Sequence, residues 1–61
     1  MLPTFTYHHI VRIVHEPHRI QYRRLELDEP DPKYAETYCR EFCDAAEAVC
    51  INIYETYVPG D

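Results

Sequence analysis

The feature that most constrains this chain is an amphipathic segment preceded by acidic residues and prolines. Two prolines in DEPDP, residues 28–32, remove backbone donors that a strand needs, so no strand continues through this stretch. Asp31 is suited to be a helix N-cap, with Pro32 in the first helical position. Apolar residues then recur at helical spacing. We therefore predict a helix over residues 33–48.

The two sides of this predicted helix differ in chemistry. We expect the apolar side to pack on a sheet, with the stripe around Phe42 in contact with it. The apolar side holds Tyr34, Ala35, Tyr38, Cys39, Phe42, Cys43, Ala45, Ala46 and Val49. The other side holds Lys33, Glu36, Arg40, Glu41, Asp44 and Glu47.

Three segments rich in β-branched and aromatic residues predict strands over residues 4–15, 19–27 and 49–58. Pro17 suits the second position of a type I turn between the first two. The apolar pattern of the second strand changes phase once, which indicates a β-bulge near Arg23–Arg24.

The element order predicts an α+β fold, formed by a single domain over residues 1–61. The helix returns the chain so that the third strand lies antiparallel to the first, which gives a three-stranded sheet in the spatial order 2-1-3. The helix covers one face, and on the first strand we expect that face to present Phe5, Tyr7, His9, Val11 and Ile13.

The other sheet face is expected to remain open. Ile10, Val14 and Tyr54 lie on it, and an exposed face with such side chains is a candidate surface for self-association. One alternative function is therefore a structural module that pairs through this face. The chain would then be a homodimer rather than a monomer.

Charge is distributed unevenly. Residues 1–24 carry four arginines against Glu16, a net charge of +3, whereas residues 25–61 carry ten acidic residues against Lys33 and Arg40, a net charge of −8. Eight carboxylates fall in the loop and the predicted helix, and we predict that they form a docking surface for a basic partner protein. These residues are Glu26, Asp28, Glu29, Asp31, Glu36, Glu41, Asp44 and Glu47.

All four histidines lie in YHHIVRIVHEPH, residues 7–18. His8 and His9 point to opposite faces of a strand and cannot share a metal ion. His15 and His18 flank a turn, where two or three ligands make only a weak zinc site. We expect strand and turn roles for these histidines, with no metal and no cofactor; a metal-responsive domain is a weaker alternative.

The three cysteines follow the spacing C-x3-C-x6-C. Cys39 and Cys43 are one helical turn apart, too far for an undistorted disulfide, and Cys50 is expected to face away from the helix. Without an evident signal peptide or membrane span, an odd number of cysteines favours reduced thiols in the cytoplasm. A redox-responsive domain is a second weaker alternative.

Catalysis and direct nucleic-acid binding are both disfavoured. The chain has no serine, and its one glycine cannot build a phosphate-binding loop. A net charge of −5 opposes binding to phosphates, although aromatic and arginine residues occur on the sheet. We therefore expect neither catalytic residues nor direct contact with nucleic acid or membrane.

The acidic segment LELDEPDPKYAETY and the strand–strand–helix–strand order resemble, in format, small inhibitors encoded by phages and mobile elements, such as anti-CRISPR proteins. The resemblance implies a small protein in the host cytosol that binds a nucleic-acid-handling complex and blocks its DNA site. It implies no residue roles, so the predicted docking residues depend on charge alone.

Overall fold

The computed structural model describes residues 4–59, and the predicted α+β architecture is confirmed. β1 spans Thr4–His15, β2 spans Arg19–Leu27, α1 spans Pro32–Phe42 and β3 spans Glu47–Val58. The strands form one antiparallel sheet in the order β2-β1-β3, as predicted. Within residues 4–59, no helix is long and apolar enough to cross a membrane.

The helix begins as predicted and ends earlier. The Asp31 side chain accepts a hydrogen bond from the Lys33 backbone N–H at 3.0 Å, and Pro32 occupies the first turn. The helix stops at Phe42 because Asp44 adopts a positive φ of 50°, a left-handed conformation that aspartate tolerates and that commonly ends helices. The predicted helical residues 43–48 therefore divide between a turn and the start of β3.

The predicted bulge occurs on a different strand. β1 and β2 pair in an unbroken register from Tyr7 opposite Leu27 to His15 opposite Arg19, so a bulge near Arg23–Arg24 is wrong. The irregularity lies in β3, where Ile10 is opposite Asn52 while Val11 is opposite Cys50.

The β1–β2 turn also differs from the prediction. The His18 backbone N–H donates to the His15 carbonyl at 2.9 Å, which places Pro17 at the third position of the turn. Pro17 therefore does not occupy the second position that was predicted for it in a type I turn, and the Glu16–Pro17 peptide bond is cis.

The core is small and lies between α1 and the middle of the sheet. Within residues 4–59, its buried apolar residues are Val11, Ile13, Ala35, Cys39 and Ala48. His9 is also completely buried on the helix-facing side of β1, as predicted, whereas Phe5 is exposed because α1 does not extend over that end of the sheet. The molecule is elongated, with extents of 47 × 16 × 15 Å.

The first strand extends beyond β2 at one end. β2 pairs with β1 only as far as Tyr7, while β3 continues its pairing to Thr4. Residues 4–6 and 56–58 therefore form a two-stranded ribbon, in which the rings of Phe5 and Tyr57 meet edge to face with centroids 5.8 Å apart.

Candidate interaction surface

The exposed flank of α1 carries three aromatic residues in one line, which we call the aromatic ridge. Tyr34, Tyr38 and Phe42 are spaced by four residues and are 61%, 41% and 72% exposed. The rings of Tyr38 and Phe42 lie 4.8 Å apart. A shallow groove of about 510 Å³ runs along the ridge, and it is lined by Tyr34, Tyr38, Phe42, Asp31, Lys33, Thr37 and Glu41.

The expectation that this aromatic stripe packs on the sheet is wrong. The side of α1 that contacts the sheet is formed by Ala35 and Cys39, both completely buried, opposite Ala48 of β3. Small residues at a contact allow close approach, which leaves no room for tyrosine or phenylalanine between the helix and the sheet. The larger rings are therefore displaced to the flank.

Three of the eight predicted docking carboxylates stabilise the loop, the helix start and the bulge. Asp31 caps α1, and the Glu29 carboxylate accepts a hydrogen bond from the Asp31 backbone N–H at 3.2 Å. The Glu36 carboxylate accepts one from the Cys50 backbone N–H at 2.8 Å, directly beside the bulge in β3. Glu36 thus ties the helix to the third strand.

Two further carboxylates pair with arginines of the sheet. Glu26 lies 3.4 Å from the Arg24 guanidinium, and Glu47 lies 3.8 Å from that of Arg12. Glu26 is opposite His8 and Glu47 is opposite Val14 on β1, so both carboxylates lie on the open face of the sheet and not on the side that α1 covers. The structure therefore does not bring all eight residues onto one surface.

Asp28, Glu41 and Asp44 have no hydrogen-bonded or ionic side-chain partner within residues 4–59. Glu41 lines the groove of the aromatic ridge, and Asp31 lines its other end. Asp44 lines a separate cleft of about 520 Å³ beside His15, Glu16 and Arg19. The negative charge nearest the exposed aromatics is thus supplied by Asp31 and Glu41.

Three histidines make contacts that fit structural roles. The His9 ring Nε2 donates to the Glu29 carbonyl at 2.7 Å, which connects the centre of the sheet to the loop before α1. His8 is only 8% exposed, stacks on Tyr54 at 4.5 Å and is hydrogen-bonded to Thr56 at 2.9 Å. The His15 ring contacts the Gln21 side chain at 2.9 Å across the hairpin.

No group of three or more histidine, cysteine or acidic side chains suited to hold a metal ion occurs within residues 4–59. All three cysteines are free thiols. The expected orientation of Cys50 is wrong, because the bulge reverses the phase of β3 and turns Cys50 toward the core, with its sulfur 3.9 Å from His9 Nδ1.

Burial changes the pKa of the Cys39 and Cys50 thiols. Desolvation raises the pKa of Cys39, and the neighbouring Cys43 raises it further. Desolvation also raises the pKa of Cys50, although backbone hydrogen bonding at Asn52 acts in the opposite direction. Cys43 is half-buried and accepts a hydrogen bond from the Arg23 guanidinium at 3.0 Å.

The residues predicted for self-association lie on the open sheet face. Ile10 and Val14 are half-buried, and Tyr54 is exposed above His8. Charged residues interrupt this set, since Arg24 is paired opposite Ile10 and Glu47 opposite Val14. Pairing through this face stays a prediction, on a surface that is mixed rather than continuously apolar.

No family model, curated protein or solved structure matches this chain.

Proposed function

We propose that this chain is a non-catalytic binding protein that docks the exposed flank of α1 on a basic surface of a partner protein. The observation that carries the proposal is the aromatic ridge. Exposed tyrosine and phenylalanine on a rigid helix are typical anchors of protein interfaces. Tyr34, Tyr38 and Phe42 are exposed, although only five apolar residues within residues 4–59 are buried.

Charge supports a basic partner over an acidic one. Asp31 and Glu41 line the ridge groove, against Lys33 as the one cation lining it. The net charge of −5 adds a long-range attraction for positive surfaces. Such a surface steers association, and its contribution decreases as salt rises.

We further propose that the partner is a nucleic-acid-handling complex and that the chain inhibits it, as an anti-CRISPR-like protein would. A groove that binds single-stranded nucleic acid is positively charged and commonly has aromatic residues that stack on bases. An acidic flank with exposed rings has complementary charge and similar stacking chemistry. Occupying that groove would exclude the nucleic acid without any reaction.

The experiment is affinity capture with a matched charge control. The wild-type chain and the Glu41→Lys variant are immobilised, exposed at low salt to lysate of cells that produce the chain, and eluted with single-stranded DNA. The control, Glu55→Lys, changes the net charge equally at an exposed position away from α1. Retained proteins are identified by mass spectrometry.

The proposal expects basic proteins that the wild type and the control retain, that the α1 variant loses and that single-stranded DNA releases. Equal loss with both variants would show that overall charge, and not the α1 flank, is responsible. Equal retention by all three would contradict docking through this surface. If DNA does not displace the retained proteins, the proposal that the chain inhibits a nucleic-acid-handling complex is wrong, while the proposal that it is a binding protein stands.

A further inference from the structure

The two edges of the sheet differ in how they are protected against pairing. β2 is an edge strand with exposed arginines at positions 19, 23 and 24, and charged side chains of this kind discourage edge-to-edge association. β3 is the other edge strand. Its second half, residues 51–58, has Glu55 as its one charged residue and no proline.

The exposed half of β3 is also apolar. Ile51, Tyr54, Tyr57 and Val58 are all exposed, and Pro59 follows at the end of the strand. The hydrogen bond from the Cys50 backbone N–H to Glu36 attaches α1 at the bulge, so the uncovered edge begins beyond it. A long, weakly charged edge strand is a template for adding another strand.

We propose that β3 pairs antiparallel with β3 of a second copy, forming a six-stranded sheet across a two-fold axis. In an antiparallel pair, the side chains of directly opposite residues lie on the same face of the sheet. The two-fold axis must therefore pass midway between one residue and the same residue of the second copy, because any other position would oppose residues that point to different faces. An axis beside Tyr54 places Tyr54 opposite Tyr54 of the second copy and Ile53 opposite its Glu55. An axis beside Glu55 would oppose two carboxylates, which is destabilising.

The occupant is a second copy because this register is complementary to itself. With Tyr54 at the axis, Ile51 meets Tyr57 of the second copy and Asn52 meets its Thr56, so every opposite pair over residues 51–57 avoids like charges. The same pairing through β2 would bring two arginine-rich edges together. Self-pairing is therefore specific to β3.

The small core gives this pairing a physical reason. Domains shorter than about 70–80 residues commonly rely on a disulfide, a metal or a partner subunit for stability. The cysteines are free, and residues 4–59 contain no group suited to a metal ion. A second copy would bury part of the exposed apolar edge, and a two-fold axis perpendicular to the sheet would place both α1 helices on one face.

The test measures the mass of the chain by sedimentation equilibrium, for the wild type and for variants with opposite charges at residue 54. The wild type is expected to reach twice the 7.3 kDa mass of the chain as its concentration rises. Tyr54→Lys and Tyr54→Glu should each weaken self-association about tenfold or more, because each opposes like charges. An equimolar mixture of the two should restore the dimer, a result that damaged folding does not produce.

Three further variants keep the result decisive if Tyr54 proves necessary for folding. Ile51→Lys should weaken the dimer, while Ile20→Lys, a change at a comparably exposed position on β2, should not. Ile10→Asp tests pairing through the open face and should leave an edge-paired dimer intact. A wild type that stays monomeric, a mixture that does not associate, or equal effects at Ile51 and Ile20 would overturn the proposal. Each outcome is independent of docking through the aromatic ridge.

Discussion

The buried side and the exposed flank of α1 use opposite kinds of residue. Ala35 and Cys39 are completely buried against the sheet, whereas Tyr34, Tyr38 and Phe42 stand in solvent. A design for stability alone would place the large rings inside, because burying one stabilises a fold more than burying an alanine. Their exposure divides this helix into a buried structural side and an exposed side, and it is to the exposed side that we propose a recognition role.

The largest effect is expected from placing a charge on the buried side. For 61 residues the free energy of unfolding is about 3–9 kcal/mol. Ala35→Asp would bury a carboxylate without a partner, at a cost comparable with that total. We expect no cooperative thermal transition by circular dichroism. Its neighbour Tyr34 supplies the control, since Tyr34→Asp on the flank should melt like the wild type. If both variants lose the thermal transition, α1 does not have a structural side and a separate exposed flank.

Removing the Glu36 carboxylate should have the next largest effect. Glu36→Ala leaves the Cys50 N–H at the bulge without its charged acceptor, and hydrogen bonds to charged groups contribute about 1.5–3 kcal/mol. Urea denaturation measures the change in the free energy of unfolding. Glu41→Ala is the matched control on the ridge groove and should stay within about 0.5 kcal/mol of the wild type. A smaller loss for Glu36 than for Glu41 would contradict a structural role for Glu36.

Removing the helix cap should lower the free energy of unfolding by a smaller amount than removing the Glu36 carboxylate. Asp31→Ala removes the acceptor for the Lys33 N–H, and such substitutions cost about 1 kcal/mol. Asp28→Ala, in the same acidic loop but without a side-chain partner within residues 4–59, is expected to change the urea midpoint much less. If the two variants lower the midpoint equally, general loop charge rather than capping stabilises the start of α1.

The smallest effect concerns alkaline pH. Because the pKa of Cys39 and of Cys50 is raised in the folded state, the unfolded chain loses these protons first as the pH rises past the ordinary thiol value of 9.0. Their contribution to stability is thus complete below that pH and is lost above it. Cys50→Ala should show a shallower alkaline decline in urea midpoint than the wild type. Identical declines in the two proteins would show that the Cys50 thiol does not contribute to the loss of stability at alkaline pH.

Much of the fold follows from sequence because local signals and pattern agree. The three segments rich in β-branched and aromatic residues, the prolines at 30 and 32 and the Asp31 cap each predict the observed element. The crossover through the helix allows β3 to lie antiparallel beside β1, which gives the observed sheet order. The end of α1 does not follow, because a left-handed Asp44 ends it inside an otherwise continuous apolar pattern.

The candidate surface was harder to predict because a helical pattern shows which residues share a side, not which of them touch the sheet. Ala35 and Cys39 are small and one turn apart, and this was the signal for a close contact that excludes the rings. The bulge in β3 has no evident signal in sequence, yet it decides the orientation of Cys50 and the role of Glu36.

The most direct test of a recognition side is the free energy of unfolding of Tyr38→Ser/Phe42→Ser, measured by urea denaturation. If the two rings are held for a partner and not for the core, this double variant should stay within about 1 kcal/mol of the wild type. A loss of about 2–5 kcal/mol, the range of large-to-small changes in protein cores, would show that the ridge belongs to the hydrophobic core.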